Sequence, residues 1–243
     1  MIRSLLRNLA KRRGYEILGY PRAYAAHRSL SGLLQQERIN LVLDVGANEG
    51  QFVDELRASK YGGRIISYEP QASAHAKLCS RAEGDPNWTI AERTAIGSEP
   101  GSIELNISRN GVSSSILGML PSHSEAEPES SYMGTEMVPI HRLDDICVLS
   151  AEDRAILKID VQGYERQVLQ GAPIVLSNCR AVIAEMSLVP LYDGQMLAKE
   201  LWDLLLAQGF EAWSLEPGFR DPETGRMLQF DGIFVRGKGG PLA

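Results

Sequence analysis

Leu41-Val-Leu-Asp-Val45 is an unbroken apolar run that ends in a glycine-rich turn, Gly46-Ala-Asn48-Glu-Gly50, and passes at once into an amphipathic stretch over residues 51–59. A short apolar run of this kind suits a strand covered on both faces, and the helical periodicity behind it carries the chain back along the sheet. The cadence recurs. Residues 64–68 read as a strand and 72–82 as a helix, while 88–92 and 102–106 read as further strands. A strand over 155–160 leads into a helix from about Tyr164 that stops near Gly171 and Pro173. A strand over 181–185, a helix over 196–208 and strands over 211–215 and 232–236 follow. This alternation predicts an α/β fold built on a mostly parallel sheet. Turn residues from Gly218 to Gly225 alone separate the final two strands, so these are expected to pair antiparallel at the sheet edge.

The 243 residues suffice for one large domain, and a composition of 44% hydrophobic and 23% charged residues excludes a disordered or fibrous chain. No apolar run approaches the roughly 18–20 residues that cross a bilayer. A net charge of -6 argues against nucleic acid as the partner. Cys79, Cys147 and Cys179 are far apart and have no metal-ligand spacing, as expected of reduced thiols in the cytoplasm. Residues 1–30 carry net +6, leaving -12 for the remainder. Within them, Ile2, Leu5, Leu6 and Leu9 recur at helical spacing with arginines on the other face. Peripheral contact of this segment with an anionic membrane is one reading. Packing on the domain or on a second subunit, in a homo-oligomer, is the other. The expected division is a basic helical extension over 1–40, a catalytic domain over 41–236 and a flexible tail over 237–243.

Residues 106–137 break the rhythm, being rich in Ser, Gly, Pro and Glu with little periodicity. A long loop inside a compact domain is a substrate lid or an idle surface insert.

The chemistry concentrates at the first strand end. In Asp44-Val-Gly46-Ala-Asn48-Glu-Gly50 the glycines let the backbone approach a ligand, and the helix beyond offers free N–H groups. Nineteen residues after Gly50 the second strand ends in Glu69-Pro70, an acid placed to accept both hydroxyls of a ribose. The spacing D-x-G-x-N-x-G is not the dinucleotide fingerprint: Asn48 stands where a pyrophosphate needs the closest backbone approach. A phosphate-free cofactor such as S-adenosylmethionine tolerates the change, with Asp44 or an ordered water meeting its ammonium. Asp160, in Lys158-Ile-Asp160-Val-Gln-Gly163, and Glu185 end the strands expected beside the first. Both face the same edge.

These stretches resemble the FkbM family of S-adenosylmethionine-dependent methyltransferases. The likeness is carried by LDVGANEGQF, IISYEP, TAIG, HRLDDI, LKIDVQGYE, AEMSLVPLYDGQ and LEPGFRDPETGRMLQFDGIFVR, in that order from about Leu41 to Arg236. The resemblance implies a Rossmann-like, seven-stranded, mostly parallel sheet with an antiparallel last strand, and O-methylation of a hydroxyl on a sugar, glycan or secondary metabolite. By position, Gly46, Asn48 and Gly50 would wrap the methionine moiety and Glu69 would hold the ribose. Arg93, Thr94 and Ala95 would lie near the adenine, and Asp160 near the transferring methyl. His141 stands in HRLDDI where the family commonly has threonine.

An alcohol reacts once its proton leaves, so a general base is expected. The candidates are Asp160, Glu185 and His141, whereas His27, His75 and His123 read as surface or loop residues. Asp144, Asp145, Asp160 and Glu185 are ligands of the hard-cation type, but their spacing is not diagnostic and no metal is predicted. Asp144-Asp145 reads as a helix start or a solvated pair. Two rival classes are an NAD(P)-dependent oxidoreductase, which Asn48 disfavours, and a non-catalytic interaction domain that keeps the fold, which the intact glycine turn and Glu69 disfavour.

Overall fold

The computed structural model describes residues 25–237. The expected amphipathic segment at the amino terminus, through residue 24, and the last six residues lie outside them. Helix α1 (Ala25–Gln36) leads into β1 (Leu41–Val45), α2 (Gln51–Ala58), β2 (Arg64–Tyr68), α3 (Ala72–Ala82) and β3 (Trp88–Ile90). Then come β4 (Ala95–Ile96), β5 (Gly101–Ser108), the one-turn helix α4 (Pro121–Ser124), β6 (Tyr132–His141) and the one-turn helix α5 (Leu143–Ile146). The carboxyl-terminal part holds β7 (Ala155–Ile159), α6 (Glu165–Gln170), α7 (Pro173–Asn178), β8 (Cys179–Ser187), α8 (Ala198–Ala207), β9 (Phe210–Pro217) and β10 (Gln229–Arg236).

Seven strands form the main sheet in the order β3-β2-β1-β7-β8-β10-β9. β1 lies between β2 and β7, parallel to both, with every residue buried. Its alternation divides the core. Leu41, Leu43 and Val45 pack with Val168, Leu169, Val175, Leu176, Leu201 and Leu205 of α6, α7 and α8 on one face. Val42 packs with Leu33, Leu34, Val53, Leu56 and Leu78 of α1, α2 and α3 on the other. A strand covered on both faces must be apolar throughout, which is why Leu41–Val45 carries no polar alternation except Asp44. The final strands do pair antiparallel, but β10 inserts between β8 and β9, leaving β9 alone at the edge. A seven-stranded, mostly parallel sheet whose last strand is antiparallel is the fold that the resemblance implies.

Two elements escape the sequence pattern. β6 runs through what reads as loop and joins β4 and β5 in a three-stranded sheet over Ala95, Leu105, Val138 and Ile140. Of its ten residues only Val138 and Ile140 are buried, so its first half shows no apolar alternation, and Gly134 and Pro139 resemble turn residues. α7 follows α6 with hardly a break. Pro173, which reads as a helix stop, is the first residue of a new helix, where its missing N–H is not needed. The Asp144 carboxylate accepts the α7 N–H groups of Ile174 (2.9 Å) and Val175 (2.8 Å), so Asp144 does serve a helix start, though of α7 rather than its own helix. Cys147 and Cys179 are buried thiols and Cys79 is exposed. No helix among the described residues is long and apolar enough to cross a membrane.

Candidate active site

The carboxyl ends of β1, β2, β7 and β8 open into a cavity of about 670 Å³, at the point where the strand order reverses between β1 and β7. Gly46, Ala47 and Asn48 form part of its wall. The two turn glycines do different work. Gly46, at φ 80°, passes so close to the next strand end that a Cβ would sit 1.8 Å from the Asp160 carbonyl oxygen. Gly50 does not line the cavity. At φ 90° it caps α2, and a Cβ there would meet the Trp88 indole at 2.8 Å, so its smallness serves packing rather than ligand approach.

Asn48 lies in the left-handed region at φ 49°. Its backbone N–H donates to Glu69 Oε2 at 2.7 Å, and the N–H of Gln71 donates to Glu69 Oε1 at the same distance. Glu69 is 5% exposed and lines the cavity. Burial pushes its pKa up to about 7 against the two N–H donors, which favour the charged form. Each oxygen thus accepts one fixed donor and keeps a second lone pair, the donor set that a vicinal diol completes. Thr94, Ala95 and Ile96 also line the cavity. Arg93 does not. Its guanidinium bonds the Pro70 carbonyl (3.2 Å) and pairs with Glu136 (3.0 Å).

Asp160 and Glu185 meet in the cavity through a residue the sequence did not single out. Gln162, at φ 54°, donates through Nε2 to Asp160 Oδ1 (2.9 Å) and Glu185 Oε2 (3.0 Å), and its Oε1 accepts the Tyr192 hydroxyl (2.7 Å). Gln229 Nε2 donates to the same Glu185 oxygen at 2.6 Å. Lys158 Nζ lies 3.3 Å from Asp160 Oδ2 and 3.5 Å from Asp44 Oδ1. Burial alone would lower the Lys158 pKa, but Asp160, Asp44 and Asp231 outweigh it and hold the ammonium above its ordinary range. Burial, and then the charges of Asp160, Glu165 and Asp231, raise Glu185 well above the carboxylate range. Asp44 is fully buried behind the wall, where burial raises its pKa despite Lys158. Glu55, Glu69, Glu127, Asp160, Glu185, Glu216 and Asp231 line the cavity, and among the described residues Lys158 is the one lysine or arginine beside them.

Residues 110–116 close one side. Gly111 O accepts Asn48 Nδ2 (2.9 Å), Ser114 Oγ donates to Gln71 Oε1 (3.1 Å), and Ser115 Oγ donates to Gln162 O (2.6 Å). The connection between β5 and β6 is therefore fastened to the loops after β1, β2 and β7, the position of a lid.

The histidines exchange places relative to expectation. His141 does not reach Asp160 or Glu185: its Nδ1 meets Thr94 Oγ1 at 2.9 Å, and its ring lines a separate hollow with Cys147 and Ile146. His123, read as a surface or loop residue, is buried and lines the cavity. Its burial depends on Tyr192 and Phe219, about 70 and 100 residues further along the chain, so no local pattern announces it. Among the described residues no group of three or more His, Cys, Asp or Glu side chains is placed to hold a metal.

The chain is 26% identical over 186 residues to the 2-O-methyltransferase NoeI of Sinorhizobium fredii, covering 74% of this chain and 76% of that protein. An rRNA methylase from Streptococcus thermophilus aligns over 90% of this chain and 98% of its own, at 13% identity and a TM-score of 0.46. TehB from Haemophilus influenzae aligns over 85% of this chain and 60% of its own, at 10% identity and a TM-score of 0.47. Residues 44–212, from the first strand end to the edge strand, match the model of the Methyltransferase FkbM domain. The chain belongs to the FkbM family of methyltransferases.

Proposed function

We propose that the protein methylates a hydroxyl of an uncharged sugar, glycan or other small metabolite, with S-adenosylmethionine as donor. The observation that carries this reading is the cavity's acidity: among the described residues seven acids line it against one lysine. Such a wall favours a cationic, phosphate-free cofactor and repels the pyrophosphate of a nicotinamide dinucleotide. The residues fit the adenosyl group. Glu69 offers two free lone pairs to the ribose hydroxyls, the Gly46–Asn48 turn and the acid field suit the amino-acid end, and Thr94 and Ala95 bound the space beside Glu69. When bound, S-adenosylmethionine supplies a methyl group already activated on a sulfonium. The chain's own contribution is alignment and exclusion of water: Gln162 holds Asp160 and Glu185 in fixed register, and the residue 110–116 segment covers the site. The activity for which NoeI is named, 2-O-methylation, supports oxygen as the acceptor atom.

Calorimetry with S-adenosylmethionine and, separately, NADPH tests the cofactor. Binding of the first and not the second is expected, with affinity for the first at least about tenfold lower in Glu69→Ala, the scale of a lost hydrogen bond to a charged group. Binding of NADPH instead, or unchanged affinity in the variant, refutes the reading. A gain of one methyl by neutral glycosides and absent from their phosphorylated counterparts is the expected acceptor result.

A further inference from the structure

Among the described residues, four buried side-chain atoms have no hydrogen-bond partner: Asp44 Oδ1, Arg57 Nη2, Gln167 Oε1 and His123 Nδ1. Of these four residues only His123 lines the cavity. Buried polar groups in folded proteins are nearly always satisfied, so an orphaned imidazole in a cavity wall is placed for a group that arrives with a ligand. The residue is 3% exposed, and its burial lowers the pKa to about 4 with no neighbouring bond or charge to offset it. The ring is therefore neutral at physiological pH and able to accept a proton.

Its position is fixed. The ring stands edge-on to Tyr192 at 5.0 Å and tilted against Phe219 at 5.4 Å. Backbone bonds from Leu120 N to Leu191 O (2.9 Å) and from Asp193 N to Gly118 O (2.8 Å) tie its segment to the Tyr192 loop. Tyr192 donates to Gln162, which holds Asp160 and Glu185, so two side chains, Tyr192 and Gln162, link His123 to the paired carboxylates. Neither carboxylate is well placed to take a proton. Glu185 Oε2 accepts from both Gln162 and Gln229, and both Asp160 oxygens are engaged, Oδ1 by Gln162 and Oδ2 by Lys158.

We propose that His123 forms a polar wall of the acceptor subsite and receives the proton of the acceptor hydroxyl. This rests on the reading of S-adenosylmethionine as donor. As the acceptor oxygen bonds to the methyl carbon, the carbon–sulfur bond breaks with its electron pair kept on sulfur, and the hydroxyl proton passes to the imidazole. One positive charge leaves sulfur and one appears on the ring.

The test uses full-length protein with ¹⁵N-labelled histidine, saturated with S-adenosylhomocysteine and titrated with neutral methyl glycosides of the common hexoses and pentoses. At least one glycoside is expected to shift the His123 ring nitrogens and to bind at least about tenfold more weakly to His123→Gln and His123→Ala. With that glycoside as acceptor, turnover falls by about a hundredfold in His123→Ala and added imidazole restores at least about tenfold of it, a rescue that a structural role would not give. Glycosides that bind without moving the His123 signals, a panel in which none reaches the ring, wild-type turnover in His123→Gln, or absence of rescue each overturns the proposal. Failure of S-adenosylhomocysteine itself to bind would instead overturn the cofactor reading.

Discussion

Glu69 concentrates the residue-scale physics of the site. Its carboxylate is buried with two backbone donors and no adjacent cation, and its pKa stands at about 7 in place of the ordinary 4.5. A diol that donates to both oxygens stabilises the charged form, so protons compete with cofactor. The dissociation constant for S-adenosylmethionine should rise by up to about tenfold per pH unit as pH falls below 7 and level off above it. In Glu69→Gln the constant is weak and this pH dependence is lost. Calorimetry between pH 5.5 and 8.5 reads both, and a wild-type profile that is flat through 7 contradicts the assignment. Glu69 was legible in the sequence because strand, turn and acid lie within thirty residues of one another. Gln162 was not singled out, although it sits inside the quoted LKIDVQGYE, since no residue type or spacing marks a glutamine as the bridge between two acids. His123 left no signal at all, because its environment is assembled from Tyr192 and Phe219.

At the scale of elements, the lid and α7 show how connections the sequence leaves vague are held. Ser115 Oγ donates to Gln162 O and accepts the N–H of Leu117. Ser115→Ala should cost roughly 1 kcal/mol at this tie and raise proteolytic nicking within residues 109–118 of the free protein, with cofactor restoring protection. Nicking at the wild-type rate would mean the segment is held by other contacts. Asp144→Ala should remove the cap of α7, costing about 1–2 kcal/mol and lowering the melting temperature by roughly 2–8 °C in calorimetric scans. An unchanged melting temperature would show that water satisfies those N–H groups equally well. The strands of the main sheet were legible since burial on both faces leaves apolar runs such as Leu41–Val45. β6 was not, because a strand with one short buried half and with Gly134 and Pro139 inside it matches the pattern of a loop.

Over the whole molecule, the buried acids set a pH signature for stability. Glu69 and Glu165 are raised to about 7 and Asp231 to about 6, in each case first by burial. A carboxyl whose folded pKa exceeds its unfolded value binds more protons when folded, so stability falls as pH rises through that interval. The free protein should therefore be most stable in mild acid and lose melting temperature between about pH 5 and 7.5, and a cationic cofactor should offset part of the loss by neutralising Glu69 and Asp231, the two of them that line the cavity. Melting curves across that range, with and without S-adenosylmethionine, check the sign; a free protein that gains stability over the interval contradicts it. The net -12 outside residues 1–30 hinted at acidity, but only the fold gathers seven of those acids, among the described residues, around one lysine.

The most direct test of the central claim is a crystal structure of the protein grown with S-adenosylmethionine. The ligand is expected in the cavity at the β1–β7 switch, its ribose hydroxyls bonded to Glu69 and its sulfonium among the lining carboxylates. Density for the ligand anywhere else, or a complex in which Glu69 makes only its bonds to Asn48 and Gln71, would contradict it.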